Sequence, residues 1–224
     1  MEARQVIQEA VKVLREGGVI LYPTDTIWGI GCDATNPAAV ARVYGIKRRS
    51  DSKALVLLAS DLDMVARYVD RIPPIAIDLV EVNDRPMTII YPGAIAGKAP
   101  VAEAQSPETF LGNTGEAAGA AQTPPDTGDR YHLAWNTVAS DGSVGIRIPM
   151  SEFCRDLAAR LGRPLVSTSA NISGEPSPQK FSDIPQSIRD AVDYIVPKSL
   201  DDGTGLASQI IKVELDGQVR IIRA

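Results

Sequence analysis

The chain has 224 residues, 44% of them hydrophobic, which is enough to bury a sizeable core in one large domain or two small ones. It carries 23 lysines and arginines against 28 aspartates and glutamates, and the formal net charge of −5 argues against a uniformly basic nucleic-acid-binding protein. Any site for phosphate must therefore be a local basic patch.

Cysteine usage and the N-terminal pattern both favour the cytoplasm. Cys32 and Cys154 lie far apart and have no companion at metal-ligand or redox-motif spacing. Residues 1–14 are charged and amphipathic, without the unbroken apolar core of a signal peptide. No stretch approaches the roughly 18 apolar residues of a membrane span, so we expect no membrane partner.

Helical patterns interleave with short β-branched runs, which predicts an α/β sheet. Asn36 before Pro37 indicates a capped helix start, and Ser60 and Ser151 supply two more. In chain order the predicted elements are a helix at 3–15, a strand at 18–22, a helix at 37–45, a strand at 55–59, a helix at 61–69, strands at 87–91 and 144–148, a helix at 152–161, and strands at 164–168, near 195, at 209–213 and at 218–222.

Residues 99–128 differ in composition from the rest of the chain. Alanine, glycine, proline, threonine and glutamine dominate, and the segment holds four acids but no lysine or arginine. Such a stretch buries too little apolar surface to offset the entropy lost on ordering. We interpret it as an insertion loop within a single domain spanning 1–224; a linker between two domains is the alternative.

Basic side chains concentrate between residues 42 and 53, where the single acid is Asp51. The helix predicted at 37–45 would leave residues 47–53 as a loop leading to the next strand. An anion would bind there, or the loop is a solvated one whose charges complement the helix dipole. The basic residues are Arg42, Lys47, Arg48, Arg49 and Lys53.

Two polar loops follow predicted strands. Residues 167–174 place serine, threonine and asparagine after the strand at 164–168, where open α/β sheets bind ligands. Residues 22–31 also form a polar turn, and Ala34 breaks the dinucleotide-binding glycine pattern. The alternatives are a self-capping turn in the first loop and a tight turn around a buried Trp28 in the second.

Together these loops resemble the YrdC-type threonylcarbamoyl-AMP synthase family (YrdC/YciO-like), in its short single-domain form. The motifs that carry the resemblance cover most of the chain in order. They are YPTDTIWGIGCDA at 22–34, IKRRSDSKAL at 46–55, VGIRIP at 144–149, STSANISGEPSP at 167–178, SQIIKV at 208–213 and IIRA at 221–224.

The resemblance implies a twisted mixed sheet with flanking helices around a concave basic cavity. It implies a catalytic tetrad of Lys47, Arg49, Ser169 and Asn171. Lys47 and Arg49 would stabilise charge on phosphate oxygens, while Ser169 and Asn171 would position phosphate or ribose. Further substrate-binding or nucleotide-binding positions are Thr24 and Thr26 at the amino-acid end, Lys53, Thr88, Arg147, Ser208 and Arg223.

The implied enzyme is a nucleotidyltransferase that makes threonylcarbamoyl-AMP and pyrophosphate from L-threonine, bicarbonate and ATP for a tRNA modification. ATP would be a substrate accompanied by magnesium, and we expect no metal site of the protein's own. The implied partners are tRNA or double-stranded RNA and the threonylcarbamoyl-transferase proteins of the pathway. Catalysis would be mostly positioning, because no side chain has the context of a covalent nucleophile.

A YciO-like relative would share the fold and the tetrad. It would bind nucleotide or RNA through phosphates, or remove the threonylcarbamoyl group, without efficient synthesis. A third class, a carbamoyl-transferring maturation module, would sit in a longer chain with zinc-finger cysteines. The two cysteines disfavour that class.

Overall fold

The computed structural model describes residues 2–48, 55–99 and 132–224. Within them the strands are β1 (Ile20–Tyr22), β2 (Gly29–Gly31), β3 (Val56–Leu58), β4 (Met87–Tyr91), β5 (Val144–Arg147), β6 (Leu165–Ser169), β7 (Tyr194–Ile195), β8 (Gln209–Val213) and β9 (Val219–Arg223). The α-helices are α1 (Ala3–Arg15), α2 (Pro37–Lys47), α3 (Leu62–Ala66), α4 (Pro74–Glu81), α5 (Glu152–Leu161) and α6 (Gln186–Arg189).

The strands of the described residues join in one mixed sheet with the order β7-β1-β2-β6-β3-β5-β4-β8-β9. The pairs β1–β7, β3–β5 and β4–β8 are parallel, and the others are antiparallel. The predicted twisted mixed sheet with flanking helices is therefore confirmed. None of the described helices is long and apolar enough to cross a membrane.

Both faces of the sheet are covered at its inner strands, whereas the edge strand β9 is exposed. Ile20 and Tyr22 belong to one buried cluster, which α1 and α5 complete, whereas Leu21 between them belongs to a second cluster on the opposite face. This alternation follows from the two-residue period of a strand. Because both faces are buried there, inner strands such as β1 show continuous apolar runs in the sequence.

The sequence predicts most elements close to their observed bounds. The helices at 3–15 and 152–161 and the strands at 87–91 and 209–213 coincide with the structure, while the helix predicted at 61–69 ends early, at Ala66. The prediction missed β2, α4 and α6. The glycine-rich strand β2 has the sequence Gly29-Ile30-Gly31 and resembles a turn, because its pairing partners lie far away in the chain.

Two details of the predicted helix ends are wrong. Helix α2 continues to Lys47, two residues past the predicted end, so Lys47 belongs to the helix and not to the loop beyond it. Helix α3 is capped by Asp61, whose side chain accepts a hydrogen bond from the Met64 backbone N–H, and not by Ser60. Helix α5 does start after Ser151, as predicted, although the Ser151 side chain forms no capping hydrogen bond.

The cap predicted at Asn36 is confirmed. Its Oδ1 accepts hydrogen bonds from the backbone N–H groups of Ala38 and Ala39, at 3.0 and 3.1 Å, and Pro37 follows at the first helical position. Most of the predicted insertion, residues 100–128, lies outside the described residues. Its place within a single domain stays a prediction.

Gly31 lies where the sheet has no room for a side chain. A Cβ there would lie 2.7 Å from Cε1 of Tyr22 and would also overlap the Val166 carbonyl oxygen. Gly45 in α2 is the opposite case, because a Cβ there would meet nothing within 4 Å.

We therefore expect Gly31→Ala and Gly45→Ala to change stability in opposite directions. Overpacking at Gly31 should lower the free energy of unfolding by about 1–3 kcal/mol. Alanine at Gly45 should raise it by about 0.5–1 kcal/mol, because glycine loses more backbone entropy in a helix. Thermal or denaturant unfolding measures both, and equal effects of the two variants would contradict the crowding at Gly31.

Candidate active site

A cavity of about 280 Å³ lies in the sheet. It is lined by the β1–β2 turn, by the C-terminal ends of β5, β6 and β9, and by the start of β8. The elements that meet here come from all parts of the described chain, so only the folded sheet assembles the site. Six of the predicted site residues line this cavity: Thr24, Thr26, Arg147, Ser169, Ser208 and Arg223.

The two threonines of the β1–β2 turn form an ordered chain of hydrogen bonds. Arg147 Nη1 donates to Thr26 Oγ1 at 3.0 Å, and Thr24 Oγ1 donates to the Ile27 carbonyl oxygen at 2.8 Å. Because a hydroxyl has one proton, Thr26 is the donor in the 2.8 Å bond between Oγ1 of Thr26 and Oγ1 of Thr24. Both hydroxyls are thus held in fixed orientations at one end of the cavity.

Arg147 brings a buried positive charge to the cavity wall. The residue is 4% exposed, and its Nη2 lies 3.4 Å from Oδ1 of Asp25. Its Nε is buried without a hydrogen-bond partner among the described residues. Since a buried guanidinium is unfavourable unless its donors are satisfied, Arg147 is suited to bind an anionic group of a ligand.

Arg223 contributes a second guanidinium at the rim of the same cavity. Its Nε and Nη2 donate to the Ser208 carbonyl oxygen at 2.9 and 2.6 Å, and the Ser208 hydroxyl lies 2.9 Å from that of Thr88. Partial burial, and then repulsion from Arg147, lowers the pKa of Arg223. Two cations that disfavour each other are both stabilised when an anion binds between them.

Three residues of the predicted tetrad meet beside this cavity. Lys47 Nζ donates to the carbonyl oxygens of Ser169 and of Asn171, the latter at 2.8 Å, and lies 3.2 Å from Oδ1 of Asn171. The backbone N–H of Ser173 donates in return to the Lys47 carbonyl oxygen at 2.9 Å. Lys47 is 2% exposed, so its ammonium group fixes the turn after β6.

Other predicted residues occupy different surroundings. Thr88 is fully buried and reaches the cavity through the hydroxyl of Ser208. Arg42, from the basic cluster, points elsewhere and pairs with Asp193 at 2.9 Å. Arg49 and Lys53 lie outside the described residues, so their place at the site stays a prediction.

The sequence did not single out Asp25 or the full role of Trp28. Trp28 is 1% exposed and still lines the cavity, so it is both a buried turn residue and part of the site. Its Nε1 donates to Oδ2 of Asp201 at 2.6 Å, and its ring meets Phe181 edge-on at 4.9 Å. The sequence signal that could have pointed to Asp25 is its position between Thr24 and Thr26, which were both predicted site residues.

Solved structures share this fold. The chain superposes on Sua5 of P. abyssi, in a crystal structure of the complex with L-threonine, with a TM-score of 0.69 and 21% identity, covering 95% of this chain and 52% of that one. It therefore spans about half the length of that protein. Superposition on YciO of E. coli gives a TM-score of 0.68 and 22% identity, with 99% and 89% covered.

Sequence similarity covers nearly the whole chain. A threonylcarbamoyl-AMP synthase of Xanthomonas euvesicatoria is 31% identical over 218 residues, which are 97% of this chain and 96% of the relative. The family model described as "Telomere recombination", which names Sua5, YciO and YrdC, matches residues 12–109 and 126–224. The unmatched residues between these segments fall inside the predicted insertion. The chain belongs to the Sua5/YciO/YrdC family.

Proposed function

We propose that the chain is a threonylcarbamoyl-AMP synthase, which forms threonylcarbamoyl-AMP and pyrophosphate from L-threonine, bicarbonate and ATP. The observation that carries this proposal is a cavity that joins oriented threonine hydroxyls at one end to the guanidinium groups of Arg147 and Arg223. The hydroxyl groups suit the binding of an amino acid, and the guanidinium groups suit the binding of a nucleotide phosphate, so one cavity can hold both substrates next to each other. The 31% identity to a relative of that name supports the assignment.

The reaction has two steps. The threonine amine attacks the carbon of bicarbonate and water leaves, which gives threonine carbamate. A carbamate oxygen then attacks the α-phosphorus of ATP, and the bond from that phosphorus to the bridging oxygen breaks, so pyrophosphate leaves with the bond's electron pair. Negative charge accumulates on phosphate oxygens, and Arg147 and Arg223 stabilise it by charge-assisted hydrogen bonds.

The described residues favour catalysis by positioning over covalent catalysis. Burial raises the pKa of the Cys154 thiol to about 12 and also raises that of Cys32, so neither is a thiolate at neutral pH. The hydroxyls of Thr24 and Thr26 are engaged with each other, and no histidine neighbours them in the cavity lining formed by the described residues. Holding the carbamate against the α-phosphate in a productive geometry then supplies the acceleration.

Magnesium would enter with the triphosphate. Among the described residues no three histidine, cysteine or acidic side chains converge as a metal site. Mg²⁺ keeps several waters and binds phosphate oxygens readily, so MgATP is the substrate form that this proposal requires.

The product is a mixed anhydride that reacts readily with nucleophiles, so a transferase acting on tRNA would consume it. We place this chemistry in the cytoplasm, where ATP and tRNA are available. RNA binding to the basic residues of the site would depend strongly on salt, because it would rest on phosphate contacts.

Arg223→Gln tests the nucleotide end of the cavity. Glutamine can still donate to the Ser208 carbonyl oxygen but carries no charge, and hydrogen bonds to charged groups contribute about 1.5–3 kcal/mol. We expect the KM for ATP to rise by roughly tenfold or more in threonine-dependent pyrophosphate release. Arg220→Gln is the matched control on the same strand, exposed and outside the cavity lining. Equal KM values for the two variants would overturn the role of Arg223.

Threonine dependence tests the reaction itself. Purified protein with ATP, bicarbonate and magnesium should release pyrophosphate when threonine is present and not without it. Lys47→Ala and Arg49→Ala should abolish release, whereas Arg42→Ala, which removes a charge paired with Asp193 outside the cavity lining, should leave it unchanged.

Thermal unfolding must accompany these rates, because Lys47→Ala also removes the bonds to the turn after β6. A folded wild-type protein that releases no pyrophosphate would contradict the synthase and favour the nucleotide- or RNA-binding relative.

A further inference from the structure

Asp25 lies between the two threonines of the β1–β2 turn but outside the residues that line the cavity. Its carboxylate reaches the end of β5 at two points. Oδ1 lies 3.4 Å from Nη2 of Arg147, and Oδ2 accepts a hydrogen bond from the Met150 backbone N–H at 2.9 Å. The Asp25 side chain is 7% exposed, so water screens the attraction between Asp25 and Arg147 only weakly.

The backbone of Asp25 is held independently of Arg147. Its carbonyl oxygen accepts hydrogen bonds from the backbone N–H and the hydroxyl of Thr204, at 3.3 and 3.4 Å, and Gly205 N–H donates to the Thr26 carbonyl oxygen at 2.7 Å. A Cβ on Gly203 would lie 2.7 Å from the Thr24 carbonyl oxygen, so this loop packs closely on the turn. The carboxylate is therefore presented from a fixed base.

Among the described residues, Asp25 is the acid that forms an ion pair with Arg147, so it can act as the anchor of that side chain. In the described part of the chain the other bonded group of Arg147 is the neutral hydroxyl of Thr26. Arg223, at the rim of the same cavity, repels it. A long arginine side chain under that repulsion would change its orientation unless a carboxylate opposed the movement.

We propose that Asp25 is a positioning residue, which fixes the guanidinium of Arg147 in the orientation that meets the substrate and does not itself touch the substrate. The catalytic part of this inference rests on the proposed synthase reaction. The orientation of Arg147 does not depend on that reaction and can be measured without turnover.

The variant is Asp25→Asn, which keeps an acceptor for the Met150 N–H and loses the charge facing Arg147. The matched control is Asp33→Asn. Asp33 is also buried and ion-paired, with Oδ2 at 2.8 Å from Nη1 of Arg163, but it lies outside the cavity lining. Both variants lose a buried carboxylate, so a general loss of stability affects both.

The first readout is the ¹⁵Nε–¹Hε resonance of Arg147 in protein labelled at arginine, assigned by its loss in Arg147→Lys. We expect it to shift or broaden in Asp25→Asn and to stay in place in Asp33→Asn, where the Arg163 resonance moves instead. An unchanged Arg147 resonance in Asp25→Asn would overturn the proposal. The resonance measurement still tests the positioning of Arg147 if the wild type releases no pyrophosphate. That second outcome would count against the proposed function alone.

The second readout is the steady-state rate of threonine-dependent pyrophosphate release. Because a displacement near 1 Å lowers rates by roughly a hundredfold, we expect kcat of Asp25→Asn to fall by about tenfold or more. The KM for ATP should change by less than about threefold, because the charge of Arg147 remains in the cavity. Asp33→Asn should keep kcat within about twofold of the wild type.

A double-variant cycle separates action through Arg147 from a direct role. In the Arg147→Lys background, Asp25→Asn should change kcat by less than about twofold, because the group it positions is already gone. A full tenfold loss in that background, or equal losses in Asp25→Asn and Asp33→Asn, would overturn the positioning role.

Discussion

Arg147 ends β5 with a guanidinium that has lost nearly all of its water, and the site is organised around that buried charge. Such a group persists in a folded protein when a counter-charge and acceptors surround it. Asp25 supplies the charge and Thr26 an acceptor. Both come from the turn between β1 and β2, which are four and three strands away from β5 in the order of the sheet. The ion pair and the hydrogen bond of Arg147 therefore connect distant strands of the sheet across the cavity.

The second cation gives the site its preference for anions. Arg223 lies on the edge strand β9, and its guanidinium donates to the neutral carbonyl oxygen of Ser208. No carboxylate of the described residues forms an ion pair with it. One carboxylate and two guanidiniums leave this part of the cavity with a positive balance, although the whole chain carries a formal charge of −5. The local patch that the overall composition required is thus built from residues far apart in the sequence.

Local patterns in the sequence predict what depends on local physics. The Asn36 cap, the helix at 3–15 and the run at 87–91 each contain their own signal in neighbouring residues. Strand β2 does not, because Gly29 and Gly31 have low strand propensity and their place in the sheet comes from β1 and β6. The pairing of Asp25 with Arg147 spans 122 positions and was invisible for the same reason.

Lys47 lies beside the cavity, and its part in the reaction stays a prediction. The resemblance assigned Lys47 to phosphate, whereas its ammonium group here donates to two carbonyl oxygens of the turn after β6. Helix α2 extends to Lys47 and ends with Arg48 in a left-handed conformation. Residues other than glycine adopt a left-handed conformation at an energetic cost, so packing around the helix end must maintain it. The bonds of Lys47 to the carbonyl oxygens of Ser169 and Asn171 contribute to that packing, because they hold the end of α2 against the turn after β6.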